Sequence, residues 1–226
     1  MARPFVTGVL AMSVDGKIAD VARSPARFGS SADKRHLEEQ VAKVDAVLFG
    51  AGTLRSYGTT LRITSVDLLH QRQQQGKPSQ PIHIVCCPSG NLDSQLRFFQ
   101  QPVPRWLITT TVGASVWQGG QAFEQILTVE PSNQGVDWLP ILETLSHAKI
   151  QRLAVLGGGE LVASLLAVDA IDELCLTICP LILGGRTAPT LVEGTGFVEA
   201  IAPRLQLLQV RWLDQEVFLH YRILRT

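Results

Sequence analysis

The chain has 226 residues, 46% of them hydrophobic and 18% charged, which suits one large domain over 1–226 better than two small ones. Twenty Lys and Arg balance twenty Asp and Glu, so no net charge draws the chain to nucleic acid or to an acidic membrane surface. Cys86, Cys87, Cys175 and Cys179 have neither metal-knuckle nor disulfide spacing and read as reduced, buried strand thiols. The opening residues show no apolar core with a cleavage site. No run reaches the ~20 apolar residues that span a bilayer, so a soluble, cytoplasmic protein is expected.

Short apolar runs alternate with segments of helical period, the pattern of a largely parallel sheet with crossover helices. In chain order, strands are expected at 5–13, 46–49, 82–87, 106–110, 153–156 and 173–179, then at 205–212 and 217–224. Helices are expected at 32–43, where Leu37, Val41 and Val44 recur at helical spacing, at 138–147 with Leu139, Leu142 and Leu145, and at 160–168. The polar stretch 70–81 reads as an exposed loop after a short helix. Leu213-Asp214-Gln215-Glu216 has hairpin length, so the expected α/β sheet is mixed and ends in an antiparallel pair. Trp106 is expected to pack on the sheet, and Trp117, Trp138 and Trp212 to be structural.

Three glycine-bearing loops each follow a strand: Ser13-Val-Asp-Gly-Lys17, Phe49-Gly-Ala-Gly-Thr53 and Leu156-Gly-Gly-Gly-Glu160. Ligands of open α/β sheets bind beyond the carboxyl ends of strands, and bare backbone amides at a helix start suit a phosphate or pyrophosphate. None of the loops matches G-x-G-x-x-G or G-x-x-x-x-G-K-[ST], and Gly157-Gly158-Gly159 alone reads equally well as a tight strand-to-helix turn. The histidines His36, His70, His83, His147 and His220 form no pair at ligand spacing, so no metal is expected. No G-x-S-x-G elbow supports a covalent hydrolase. Asp33 opens the first helix, where an acid stabilises the dipole and where a carboxylate beside the sheet suits a heterocyclic ligand. Asp15, before Gly16, reads as a turn former.

Taken together these loops resemble the NADPH-dependent pyrimidine reductases of riboflavin biosynthesis, which have the dihydrofolate-reductase-like fold. The resemblance covers nearly the whole chain. It rests on Leu10-Ala-Met-Ser-Val-Asp-Gly-Lys-Ile-Ala19, Asp45-Ala-Val-Leu-Phe-Gly-Ala-Gly-Thr-Leu-Arg55, Leu156-Gly-Gly-Gly-Glu-Leu161 and Asp172-Glu-Leu-Cys-Leu-Thr-Ile-Cys-Pro-Leu-Ile-Leu-Gly-Gly185. It implies an NADPH cofactor, with Ala11 and Ile18 at the nicotinamide, and Gly50, Gly52 and Thr53 at the phosphates. It puts Ser89 at the adenosine 2′-phosphate, and Gly157, Gly158, Gly159, Glu160, Leu161 and Val162 around the pyrophosphate. It also implies a homodimer that reduces the ribosylamino group of 5-amino-6-(5-phosphoribosylamino)uracil, or of its deamination precursor, to ribitylamino. The proton is expected from a bound water or from Asp33 acting through one, and Asp33 is the candidate catalytic residue. Phe28, Leu61 and Arg62 are the expected substrate-binding residues, with Arg55 or Arg62 as a phosphate clamp.

The substrate side departs from that family's pattern. Val9 stands where the family carries Lys or Asn, and Val41 where it has Arg. Tyr57-Gly58-Thr59 replaces Asp-Asp-Pro, Thr64 replaces Arg or His, and Gly157 replaces an acid. The alternatives are therefore a pterin or dihydrofolate-like substrate, and an NADPH-binding module that has lost its chemistry.

Overall fold

The computed structural model describes residues 2–130 and 135–225; residues 1, 131–134 and 226, which the single-domain expectation includes, lie outside the described residues. The strands are β1 (Phe5–Ser13), β2 (Ala46–Gly50), β3 (Ile82–Cys86), β4 (Arg105–Thr110), β5 (Gln125–Val129), β6 (Arg152–Val155), β7 (Glu173–Cys179), β8 (Arg204–Leu213) and β9 (Glu216–Leu224). The α-helices are α1 (Ser31–Lys43), α2 (Ala51–Tyr57), α3 (Val66–Gln74), α4 (Thr111–Ser115), α5 (Trp138–His147) and α6 (Gly159–Ala167). Two compact units result, one from Met1–Pro4 with Glu38–Ala154, the other from Phe5–Leu37 with Val155–Thr226.

The first unit is built on four parallel strands in the order β5-β4-β3-β2. Ala46, Val47, Leu48 and Phe49 are all buried, the mark of a parallel strand covered on both faces. Ile84, Val85, Leu107 and Ile108 continue that core, joined by Leu142 and Leu145 of α5. The register Gly50↔Cys86↔Ile108 aligns the carboxyl ends of β2, β3 and β4, so the loops that follow them leave from one edge.

The second unit carries the order β1-β7-β9-β8, with β1 and β7 parallel and the other pairs antiparallel. The strands are tied in register from Thr7↔Glu173 to Ser13↔Cys179 on one side of β7, and from Glu173↔Arg222 to Ile178↔Val217 on the other. With the pairs of the first unit all parallel and only β7–β9 and β8–β9 antiparallel, the strands are mixed and mostly parallel, and the chain ends in the expected C-terminal hairpin.

Several elements differ from expectation. The stretch 70–81 is not simply an exposed loop. Helix α3 runs through Gln74, and Arg72 is only 1% exposed, its guanidinium donating to the carbonyls of Pro78, Ala42 and Val44. A polar-looking sequence hid a buried cation because backbone carbonyls at the end of α1 satisfy it. Trp212 is 79% exposed rather than structural, for β8 is an edge strand with solvent on both faces. Strand β5 and helices α2, α3 and α4 are short, with little periodic signal, and only the start of α2 and a short helix near α3 were legible.

Candidate active site

In the first unit, Gly50 ends β2 and Gly52 and Thr53 lie in the first turn of α2. Among the described residues, apart from chain neighbours and the helix's own backbone, no atom lies within 4 Å of where a Cβ would stand on Gly50 or Gly52, so neither glycine is demanded by packing. The next loop along the same edge, residues 87–91, is braced from several sides. The Pro88 carbonyl accepts from the Thr109 and Thr110 hydroxyls at 3.1 and 2.8 Å, and the Gly90 carbonyl accepts from the Trp117 indole at 2.7 Å. Arg55 of α2 reaches this loop, donating to the Asn91 carbonyl at 2.8 Å. Ser89 and Arg55 are both exposed, so a fixed turn displays a hydroxyl beside a guanidinium. The sequence pointed to Ser89 but could not show that Arg55 joins it.

Leu61 and Arg62 lie in the irregular segment between α2 and α3 of the same unit. It is held by Glu38, 7% exposed, which accepts from the backbone of Thr64 and Ser65 at 2.5 and 2.8 Å. Glu38 was not among the expected residues; its position in a polar-looking helix gave no signal. Val9 and Val41 are 4% and 0% exposed, so both positions are core here, and Gly58 takes φ 66° to cap α2.

In the second unit, Gly157 and Gly158 have φ of 138° and 92°, a region that favours glycine, while Gly159 begins α6. A Cβ on Gly159 would collide with the Thr190 carbonyl and the Glu193 side chain. Glu160 is exposed. Leu161 and Val162 bury their side chains, and the Val162 N–H is taken by the Gly158 carbonyl at 3.0 Å. The Ile18 N–H donates to the Pro189 carbonyl at 3.0 Å, and Asp15 accepts from the backbone of Leu183 and Gly184 at 3.1 and 2.7 Å. The Ser13 hydroxyl and these amides hold the Asp15 carboxyl down to about 2. Asp15 is thus more than a local turn former, since it ties two loops together.

Asp33 lies in the first turn of α1 and bonds to Thr177 of β7, which is 2% exposed. Thr177 is the cross-strand partner of Ala11 in β1, so the second unit brings together Ala11, Thr177 and Asp33. A Cβ at Gly29 would strike the Asp33 carboxylate, which explains that glycine. Burial raises the Asp33 carboxyl above its ordinary value, Thr177 opposes the shift, and the negative Glu216 adds to it. Phe28, on the loop before α1, is half-buried in this unit.

In α/β sheets of this kind ligands bind beyond the carboxyl ends of the strands, and in each unit a glycine loop leaves from such an end. The chain belongs to the RibD C-terminal domain family, which residues 4–219 match. It is 29% identical to the 2,5-diamino-6-ribosylamino-4(3H)-pyrimidinone 5′-phosphate reductase of Archaeoglobus fulgidus, covering 87% of this chain and 90% of that one. The protein of that name in Methanothermobacter thermautotrophicus is 28% identical over 98% and 99% of the two chains. The fold is shared with a pyrimidine reductase-like protein of Corynebacterium diphtheriae, at a TM-score of 0.81 and 19% identity over 99% and 93% of the chains.

Proposed function

We propose that this protein is the NADPH-dependent pyrimidine reductase of riboflavin biosynthesis, reducing the ribosylamino group of a phosphoribosylaminopyrimidine to ribitylamino. The reductase class follows from the family and from relatives that match nearly end to end. NADPH suits the residues present. Open space over Gly50 and Gly52 leaves room for phosphate, and the Ser89 hydroxyl beside the Arg55 guanidinium suits a 2′-phosphomonoester. In the second unit the bare amides of Gly159, Glu160 and Leu161 at the start of α6 suit a pyrophosphate. NADPH, when bound, supplies the hydride.

The observation that carries the reading is the Ala11–Thr177–Asp33 grouping. Reducing a C=N bond requires a proton at nitrogen, and Asp33 is a carboxyl group whose burial favours its protonated form. Thr177 orients it, and Asp33 holds and releases the proton directly or through a water. Asp33→Asn should lower kcat by about a hundredfold or more while leaving NADPH affinity unchanged. The test is NADPH oxidation with the phosphoribosylaminopyrimidine and with dihydrofolate in parallel. Turnover of dihydrofolate alone would favour a pterin-type substrate, a reading that the apolar Val9 and Val41 keep open. Binding of NADPH with neither turnover would mean the chemistry is lost.

The single-domain reading belongs to the same proposal and predicts one calorimetric transition. So does a cytoplasmic location, which four buried cysteines outside any disulfide favour; among the described residues no helix is long and apolar enough to cross a membrane. The homodimer is supported by β8. This edge strand of 10 residues is exposed throughout and displays Leu205, Leu207, Val210 and Trp212. A second copy pairing antiparallel along β8 would satisfy both backbones and cover that surface. Val210→Glu with Trp212→Glu should yield monomers in sedimentation.

A further inference from the structure

Glu216 is an acid only 3% exposed, and the reduction makes no direct use of it. It opens β9 immediately after the hairpin turn, where a charged side chain would ordinarily face water. Instead, one carboxylate oxygen accepts the Ser30 N–H at 2.7 Å and the Cys179 thiol at 3.6 Å, and the other accepts the Ser30 hydroxyl at 2.5 Å. The Ser30 oxygen in turn accepts the N–H groups of Ala32 and Asp33 at 3.0 and 3.2 Å, capping α1. One buried carboxylate thus fixes the residue that fixes the backbone of Asp33.

We propose that Glu216 is a positioning residue for Asp33, acting through the Ser30 cap and through its own charge. This rests on the reading of Asp33 as the group that holds the proton. An amide would keep one acceptor oxygen for Ser30 and lose the second, and it would carry no charge. The charge of Glu216 acts on Asp33 as well as on Ser30. The titratable groups that bear on Asp33 from the packed strands are Cys179 of β7 and Glu216 of β9. The thiol, pushed up to about 12 by burial and by the two carboxylates, stays uncharged. Glu216 remains as the charge that opposes ionisation of Asp33 and keeps its proton available.

The experiment is a carbon-13 NMR titration of the Asp33 carboxyl alongside the pH dependence of kcat for wild type, Glu216→Gln and Glu216→Asp. Glu216→Gln keeps an acceptor for Ser30 and loses the charge. It should move the Asp33 midpoint to lower pH and move the decline of kcat with it, giving a several-fold loss at neutral pH with KM unchanged. Glu216→Asp should restore both. An unmoved midpoint in a folded Glu216→Gln protein overturns the proposal. A midpoint that moves while kcat does not supports the coupling and instead defeats the reading of Asp33 as proton donor. If Glu216→Gln does not fold, Ser30→Ala isolates the cap: a fall in kcat at constant KM supports the proposal, and unchanged kcat overturns it.

Discussion

Gly50-Ala51-Gly52 in the first unit and Gly157-Gly158-Gly159 in the second both lead from a strand into a helix, yet they need glycine for different reasons. In the first, the glycines border open space, and no protein atom or backbone angle demands them. In the second, two positions have positive φ and the third is pressed against Thr190 and Glu193. A glycine with open space over it leaves room for a ligand. A glycine required by the fold says nothing of one. The buried titratable groups contrast in the same way. The first unit encloses a histidine that stays neutral, and the second a carboxyl group that favours its proton.

The largest effect expected from this contrast is on acid stability. Burial, reinforced by the positive charges of Arg105 and Arg72, lowers His83 from 6.5 to about 3. The unfolded chain binds this proton below pH 6.5 and the folded chain does not. Stability contributed by His83 is therefore complete above 6.5 and is lost as pH falls towards 3, at about 1.4 kcal/mol per pH unit. Asp33 acts in the opposite sense: its raised folded value makes stability fall as pH rises through the range just above 3.8. Chemical denaturation across pH should show a shallower acid slope in His83→Gln, and in Asp33→Asn a gain over wild type that appears only above that range.

The next effect separates the two glycine loops directly. Gly159→Ala should destabilise by about 1–3 kcal/mol, because the new methyl meets backbone that cannot yield. Gly52→Ala should be neutral, or stabilising by up to about 1 kcal/mol through helix propensity. Equal losses of Tm in the two variants would erase the distinction. Gly52→Asp, in open space and at a helix start that tolerates an acid, should leave folding intact and weaken NADPH at least about tenfold by repelling its phosphates. An unchanged titration would remove the first-unit loop from the cofactor site. The smallest effect expected on NADPH binding belongs to Thr53→Ala, which should weaken it by about 1 kcal/mol, the worth of one neutral hydrogen bond. A change confined to the substrate KM would assign Thr53 to the substrate instead.

Strands and long helices were legible in proportion to their periodicity. Strands β1 and β7 and helix α5 coincide with their expected bounds, because long apolar runs and helical spacing survive without tertiary context. Strand β5, whose apolar residues are broken by Gln125 and Thr128, and helix α4 were not, and of α2 and α3 only the start and a short helix were legible. The candidate site was partly legible. Ala11, Asp33, Arg55, Ser89 and the glycines were singled out, whereas the reach of Arg55 to the Ser89 loop, Glu38 beneath residues 61–65, and Thr177 and Glu216 around Asp33 were not.

By itself, the sequence determined the alternating α/β architecture, the C-terminal hairpin and the glycine loops, because each depends on neighbours close along the chain. The tertiary structure alone decided which loop glycines have open space over them and which carboxyl group burial raises above its ordinary value. Burial, backbone angle and pairing between residues as distant as Ser30 and Glu216 are set by how the strands and helices pack, and no local pattern encodes them.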